Sequence, residues 1–321
     1  MRYNKGGDHM KKRRLKKEPI IALVVLIILI IGGISFYKNM EYKKSDTYKL
    51  LSMGYKEKEV EVIEKKIKKV DTILSMKYTP KLTTYLEEKY FIEENLKEYL
   101  SYSSKNIKAD SKEVIAIVNV GMNEEIYEKT SKTKTKEKEK MLVNKHNDLG
   151  EYIPEDIVPI SSKYAYAGNE ISNEIYDFYK EMCDAAKEDG ITLVATLGYR
   201  SYESQKKTYD NYAKKNGDRE ADEDVIRPGF SEHQTGLALD ILALGVSKDN
   251  FASSKASAWL IENAYKYGFI LRYPEDKEKI TGYEYEPWHY RYVGNEIATK
   301  IQKEKITFDE YYAYYIQKKS K

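Results

Sequence analysis

Two histidines sit in sequence surroundings suited to chemistry. His233 lies in SEHQTGLALDI, residues 231–241, and His289 lies in EPWHYRYVG, residues 286–294. Read as a strand, residues 237–242 put Leu237, Leu239 and Ile241 on one face and Asp240 on the other, with Ala238 and Leu242. A carboxylate among apolar residues is expensive to bury unless it is paired or bound to a metal. Gly236 permits a turn that folds the His233 imidazole back toward that carboxylate. Pro287 biases Glu286 toward extended geometry. A bend there turns Glu286 and His289 toward one point, which a regular strand would not.

Two histidines and one aspartate make a common catalytic zinc set, three protein ligands with the fourth position left to water. Such a site is net positive, which lowers the water's pKa, and a nearby glutamate that is not a ligand supplies a general base. The spacing alone leaves alternatives open. His233 beside Asp240 equally fits a hydrogen-bonded pair, and Glu-x-x-His is a weak signal by itself.

The wording of the motifs says more. Ser231, His233, Gly236, Ala238 and Asp240 spell S-x-H-x-x-G-x-A-x-D, and E-P-W-H follows about fifty residues later. This pair resembles the VanY-type D-alanyl-D-alanine carboxypeptidases, zinc peptidases of the wider D-Ala-D-Ala metallopeptidase group. GYRSYESQ at 198–205 is similar to that family's G-Y-R-S-x-x-x-Q segment and stands in the expected order. The resemblance covers roughly residues 150–305. It implies a small α+β domain with zinc at one face of an antiparallel sheet. It implies His233, Asp240 and His289 as zinc ligands and Glu286 as the general base and then the acid. Arg200 matches an arginine that stabilises the oxyanion, a task suited to its fixed fork of donors. Gln205, Ser231 and Trp288 match positions lining the substrate site. Read alone, these four are a strand-end arginine, a helix-surface glutamine, a turn serine and a core tryptophan.

The implied activity is removal of the terminal D-alanine from peptidoglycan stem peptides. An L,D-carboxypeptidase or an endopeptidase on the same scaffold would carry the same ligands and base. A non-catalytic wall-binding module is the third reading, and the complete set of motif residues argues against it.

The elements that must position these residues begin near residue 160. Helices are expected at 171–188, 201–215, 256–267 and from 295 onward. Strands are expected at 191–197, 237–242, 269–272 and 289–293. Helices and strands mix without a repeated βαβ period, which argues for α+β over a doubly wound sheet. Residues 151–321 are therefore read as the peptidase-like domain. Residues 38–150 are read as a mainly helical extracytoplasmic spacer, with strands at 114–120 and 141–144 and an exposed loop at 129–140. His9 and His146, in the tail and the spacer, are given no chemical role.

Residues 20–36 carry no charge, close to the lower limit of roughly 17–25 for a spanning helix. Eight lysines and arginines precede them, and mixed charges follow. The positive-inside rule makes 1–19 a basic cytoplasmic tail, 20–37 a single membrane helix and the remainder extracytoplasmic. A cleaved signal peptide is the rival, but the apolar run is long for one and no A-x-A-like site follows.

Composition bounds the rest. The chain has 321 residues, 41% hydrophobic and 33% charged, enough core for one large or two ordinary domains and too polar for a polytopic membrane protein. A net charge of +3 from 55 basic and 52 acidic residues gives no support to nucleic-acid binding. The single cysteine, Cys183, excludes an internal disulfide and a cysteine-rich zinc finger. The 31 tyrosines are read as compositional bias.

Overall fold

The computed structural model describes residues 17–317, with side chains from residue 21. His9 and most of the basic tail lie outside the described residues. By packing, the chain divides into two compact units, one ending at Glu87 and one beginning at Glu88.

The first unit opens with a helix, Lys17–Lys44. Its span Ile21–Lys44 is long and apolar enough to cross a membrane. The helix is apolar all round, and side chains such as Ile28 and Leu29 remain exposed. None of its apolar window is buried against the rest of the protein. Shorter helices follow. Ser45 caps Asp46–Met53 by accepting from the Tyr48 N–H. In Glu57–Lys66, Val60 and Ile63 point inward, as their helical spacing predicts. Leu50, Ile67, Ile73, Leu82 and Leu86 complete this small core.

The second unit is α+β, as expected. Four strands form its antiparallel sheet: β1 (Leu193–Leu197), β2 (Ala238–Ala243), β3 (Phe269–Leu271) and β4 (His289–Tyr292), in the spatial order β1-β2-β4-β3. One face is covered by the helix Asn173–Glu188, which buries Ile175, Tyr179, Met182, Cys183 and Ala186. These pack with Leu239, Ile241, Phe269 and Tyr290 in one continuous core. Each fully buried side chain of this size contributes about 1.5–3 kcal/mol. The Cys183 thiol sits in that core, and burial pushes its pKa up to about 12, so it behaves as a small apolar group.

Two expected strands take other forms. Residues 114–120 are the end of a helix, Ser111–Val120. Asp110 caps it by accepting from the Glu113 N–H, and Gly121, at φ 84°, ends it. Val114 to Asn119 are all buried, so the β-branched run is covered on every side of the helix instead of alternating across a sheet. Residues 141–144 are buried but join no ladder; only Asn144 makes a bridge, to Asn147. Residues 88–150, read from sequence as part of a spacer, belong to the same packing unit as the sheet.

Candidate functional site

Strand register builds the site. β2 and β4 are antiparallel, with Asp240 opposite His289, Leu239 opposite Tyr290 and Ala238 opposite Arg291. Directly opposed residues point to one face, so Asp240 and His289 emerge side by side. His289 enters its strand from a tight turn in which its N–H donates to the Glu286 carbonyl at 3.1 Å. Pro287 sits second in that turn, where its fixed φ is favoured.

His233 arrives from the other side. It lies in the single turn Glu232–Thr235, which ends at Gly236 with φ 71°. That left-handed backbone is one that L side chains rarely adopt, which is why glycine makes the reversal between the turn and β2. His233 Nδ1 bonds the Gly198 carbonyl at 2.9 Å. That leaves Nε2 facing Asp240 Oδ1 at 3.4 Å, while His289 Nδ1 faces the same oxygen at 3.2 Å.

These separations suit a shared cation. Donor atoms about 2.0–2.1 Å from a tetrahedral zinc lie roughly 3.3 Å from one another. Asp240 Oδ1 is buried and accepts no hydrogen bond from either imidazole. Ligand atoms of His233, Asp240 and His289 lie within 4.8 Å of one another, and among the described residues no other group of His, Cys, Asp or Glu is so arranged. Burial opposes ionisation of Asp240, but the two imidazoles outweigh it and hold the carboxyl well below the usual carboxylate range. Two nitrogens and one oxygen so placed could hold a metal ion, and they are donor types that zinc accepts.

Glu286 stands at the rim, its Oε2 3.6 Å from His289 Nδ1. Burial pushes its carboxyl above the usual range, against the pull of His289. Arg200 follows β1 and donates from Nη1 to Gln205 Oε1 at 2.7 Å. Gln205 is itself buried and donates to the Ile226 carbonyl at 2.6 Å, so the guanidinium is braced from behind. Burial lowers the Arg200 pKa, and the charge of Asp240 opposes that. Ser231 Oγ is buried with no hydrogen-bond partner. Trp288 lies under Lys248, whose Nζ is 3.8 Å from the ring centroid. His146 is not one of the three converging donors; it is buried, which lowers its pKa, and its backbone N–H donates to Asn144 Oδ1 at 3.0 Å.

The structure adds a cluster that the sequence reading missed. Glu232 is fully buried, and its Oε2 lies 3.4 Å from His289 Nε2, on the far side of the ring from Asp240. Its other oxygen accepts from Arg272 Nε at 2.8 Å and Arg291 Nη1 at 3.0 Å. Arg272 also donates to Asp309 at 2.5 and 3.2 Å. The signal was two arginines, one directly after the apolar β3 and one within the aromatic β4, and a glutamate directly before His233.

A family model described as VanY, D-alanyl-D-alanine carboxypeptidase, matches residues 168–295. A Bacillus subtilis (strain 168) protein, YodJ, is 46% identical over 179 residues; the match covers 53% of this chain and 66% of YodJ, just under two thirds of its length. A D-alanyl-D-alanine carboxypeptidase of Enterococcus faecium is 31% identical over 244 residues, covering 69% of this chain and 77% of that one. Among solved structures, the LdcB LD-carboxypeptidase superposes with a TM-score of 0.55 at 42% identity, covering 59% of this chain and 94% of that one.

Proposed function

The chain belongs to the VanY family of D-alanyl-D-alanine carboxypeptidases, and on that premise we propose that it is a zinc carboxypeptidase that removes the terminal D-alanine from peptidoglycan stem peptides outside the cell. The observation that carries this reading is the convergence of His233 Nε2, Asp240 Oδ1 and His289 Nδ1 on one point, with Glu286 beside it.

His233, Asp240 and His289 would hold the ion. When bound, zinc supplies Lewis acidity at the scissile carbonyl and lowers the pKa of water at the open position. Glu286 takes a proton from the attacking water. Its raised pKa brings it closer to the operating pH, where a carboxylate both accepts and returns a proton efficiently. It then hands that proton to the amine of the departing D-alanine. Arg200, braced by Gln205, donates to the oxyanion as it forms, a contribution of about 3–4 kcal/mol for a well-placed donor. Ser231 Oγ, buried with no hydrogen-bond partner, is left over for the substrate, and Trp288, packed against the core beneath Lys248, takes a supporting place beside it.

The apolar helix within Lys17–Lys44 anchors the enzyme, and the basic residues before it keep the N-terminus in the cytoplasm. The peptidase unit then faces the wall, where its substrate lies.

A second specificity is kept because of one observation, the likeness to an LD-carboxypeptidase at 42% identity. The test is mass spectrometry of stem peptides incubated with the full chain in detergent and zinc. Conversion of pentapeptide to tetrapeptide supports D,D-carboxypeptidase activity. Conversion of tetrapeptide to tripeptide supports the L,D alternative, and cleavage inside the stem supports an endopeptidase. No turnover by zinc-loaded protein would overturn the enzymatic reading and leave a wall-binding module.

A further inference from the structure

The four buried charges behind His289 are an expensive arrangement. Glu232, Arg272, Arg291 and Asp309 are all nearly or fully inaccessible to solvent. Two positive and two negative groups balance, but each ion still loses its hydration, and well-packed apolar residues often serve stability as well or better. Stability therefore does not account for the cluster. Its geometry points at one atom of the site.

A metal donor at His289 Nδ1 needs its lone pair there, so the ring proton must sit on Nε2. Glu232 Oε2, 3.4 Å from Nε2, is the acceptor that selects this tautomer. The companion histidine is held in the opposite tautomer by the Gly198 carbonyl at Nδ1. Glu232 and His233 are adjacent in one turn, so that turn delivers one ligand and the carboxylate that orients the other.

Glu232 is itself held from two sides. Arg291 lies two residues beyond His289 on the same face of β4, opposite Ala238 of β2 and Ile270 of β3. Arg272 continues from β3, and its N–H donates to the His289 carbonyl at 3.1 Å, so its side chain starts from the ligand's own backbone. The far end of Arg272 is gripped by Asp309, which also accepts from Asn144 Nδ2 at 2.8 Å. Asp309 in turn sits in the short helix Phe308–Tyr311, fixed by the reciprocal cap of Thr307 and Glu310. Both Asn144 and Asp309 lie outside residues 168–295, the span of the family match.

We infer that Glu232 is a positioning residue for the metal ligand His289, and that Asp309 and Asn144, from chain segments outside the span of the family match, hold it in place through Arg272. The inference rests on the zinc reading above and assigns those flanking segments a part in the metal site.

The test uses the full chain in detergent and measures zinc dissociation constants by competition with a chromophoric chelator. The visible absorption of the Co2+-substituted protein supplies a second readout, and circular dichroism and thermal melts check folding. Glu232→Ala is expected to weaken zinc binding by about 10–100-fold and to alter the Co2+ bands. Asp309→Asn, isosteric and remote from the ion, is expected to move both readouts in the same direction by less. Where Glu232→Ala fails to fold, the isosteric Glu232→Gln carries the same expectation. Folded variants with the wild-type zinc constant and unaltered Co2+ bands would overturn the inference. Wild-type protein that binds neither ion would instead overturn the zinc reading on which it rests.

Discussion

Asp240 and His289 face each other across two neighbouring antiparallel strands, with Asp240 Oδ1 3.2 Å from His289 Nδ1. Two candidate ligands are thus set by strand register and not by loop conformation. A one-residue slip would send every side chain of one strand to the other face and dismantle the pair, so folding the sheet and forming the site are one event.

Glu286→Gln keeps size and hydrogen bonding but removes the base. Turnover should fall by about 10²–10⁴ while zinc stays near one equivalent, measured by steady-state kinetics and elemental analysis. Loss of the metal would make Glu286 a ligand; near-normal turnover would place the base elsewhere.

His289→Ala and Asp240→Ala each remove one of three converging donors. Zinc content should drop well below one equivalent, and activity with it, while the circular dichroism spectrum stays that of a folded protein. A full equivalent of zinc in either variant would show that the donors are misassigned.

Gly198→Ala tests the support of His233. A Cβ at this position would lie 2.1 Å from the Glu170 carbonyl oxygen, and backbone must move to admit it. Overpacking of this kind costs about 1–3 kcal/mol. It also displaces the carbonyl that holds His233 Nδ1. The expected result is a lower melting temperature together with weaker zinc binding; a variant unchanged in both would mean that the loop relaxes freely.

Glu304 gives a pH-dependent contribution remote from the site. Burial raises its pKa, but hydrogen bonds from Tyr315 and Tyr90, with Lys89, prevail and bring it down to about 2. A depressed carboxylate stabilises the fold above its unfolded pKa, near 4.3, and loses that contribution as pH falls toward 2. Glu304→Gln should cost on the order of 1–2 kcal/mol at pH 7. The gap from wild type should close between about pH 4.5 and pH 2. Melts recorded across that range check it, and a gap independent of pH would remove the charge as its cause.

Topology follows from the asymmetry of charge around the apolar helix. A reporter active only outside the cytoplasm, fused after Lys321, should be active. A reporter active only in the cytoplasm, giving signal at that position, would reverse the orientation and separate the enzyme from the wall.

Much of this protein was legible in its sequence because the relevant signals are local. The apolar run of residues 20–36 marks, by composition alone, a helix long and apolar enough to cross a membrane. Gly190, Gly236 and Gly268 mark chain reversals, and all three take positive φ. Ser201 announces a helix start and does accept from the Ser204 N–H. The motif wording around His233, Asp240, Glu286 and His289 pointed to the family because each motif is a short contiguous string.

What tertiary structure decided is whatever depends on which segments meet. Residues 114–120 read as a strand because short β-branched runs look alike whether helix or sheet buries them; burial on every side, with a capping Asp110 and a terminating Gly121, made them helical. The sequence placed Asp240 and His289 in separate strands, and only the pairing of those strands made them neighbours. Glu232, though it directly precedes His233, gained its meaning only from Arg272, Arg291 and Asp309, which approach from the end of β3, from β4 and from a C-terminal helix. A buried ion is legible only with its partners, and the fold is what brings them together.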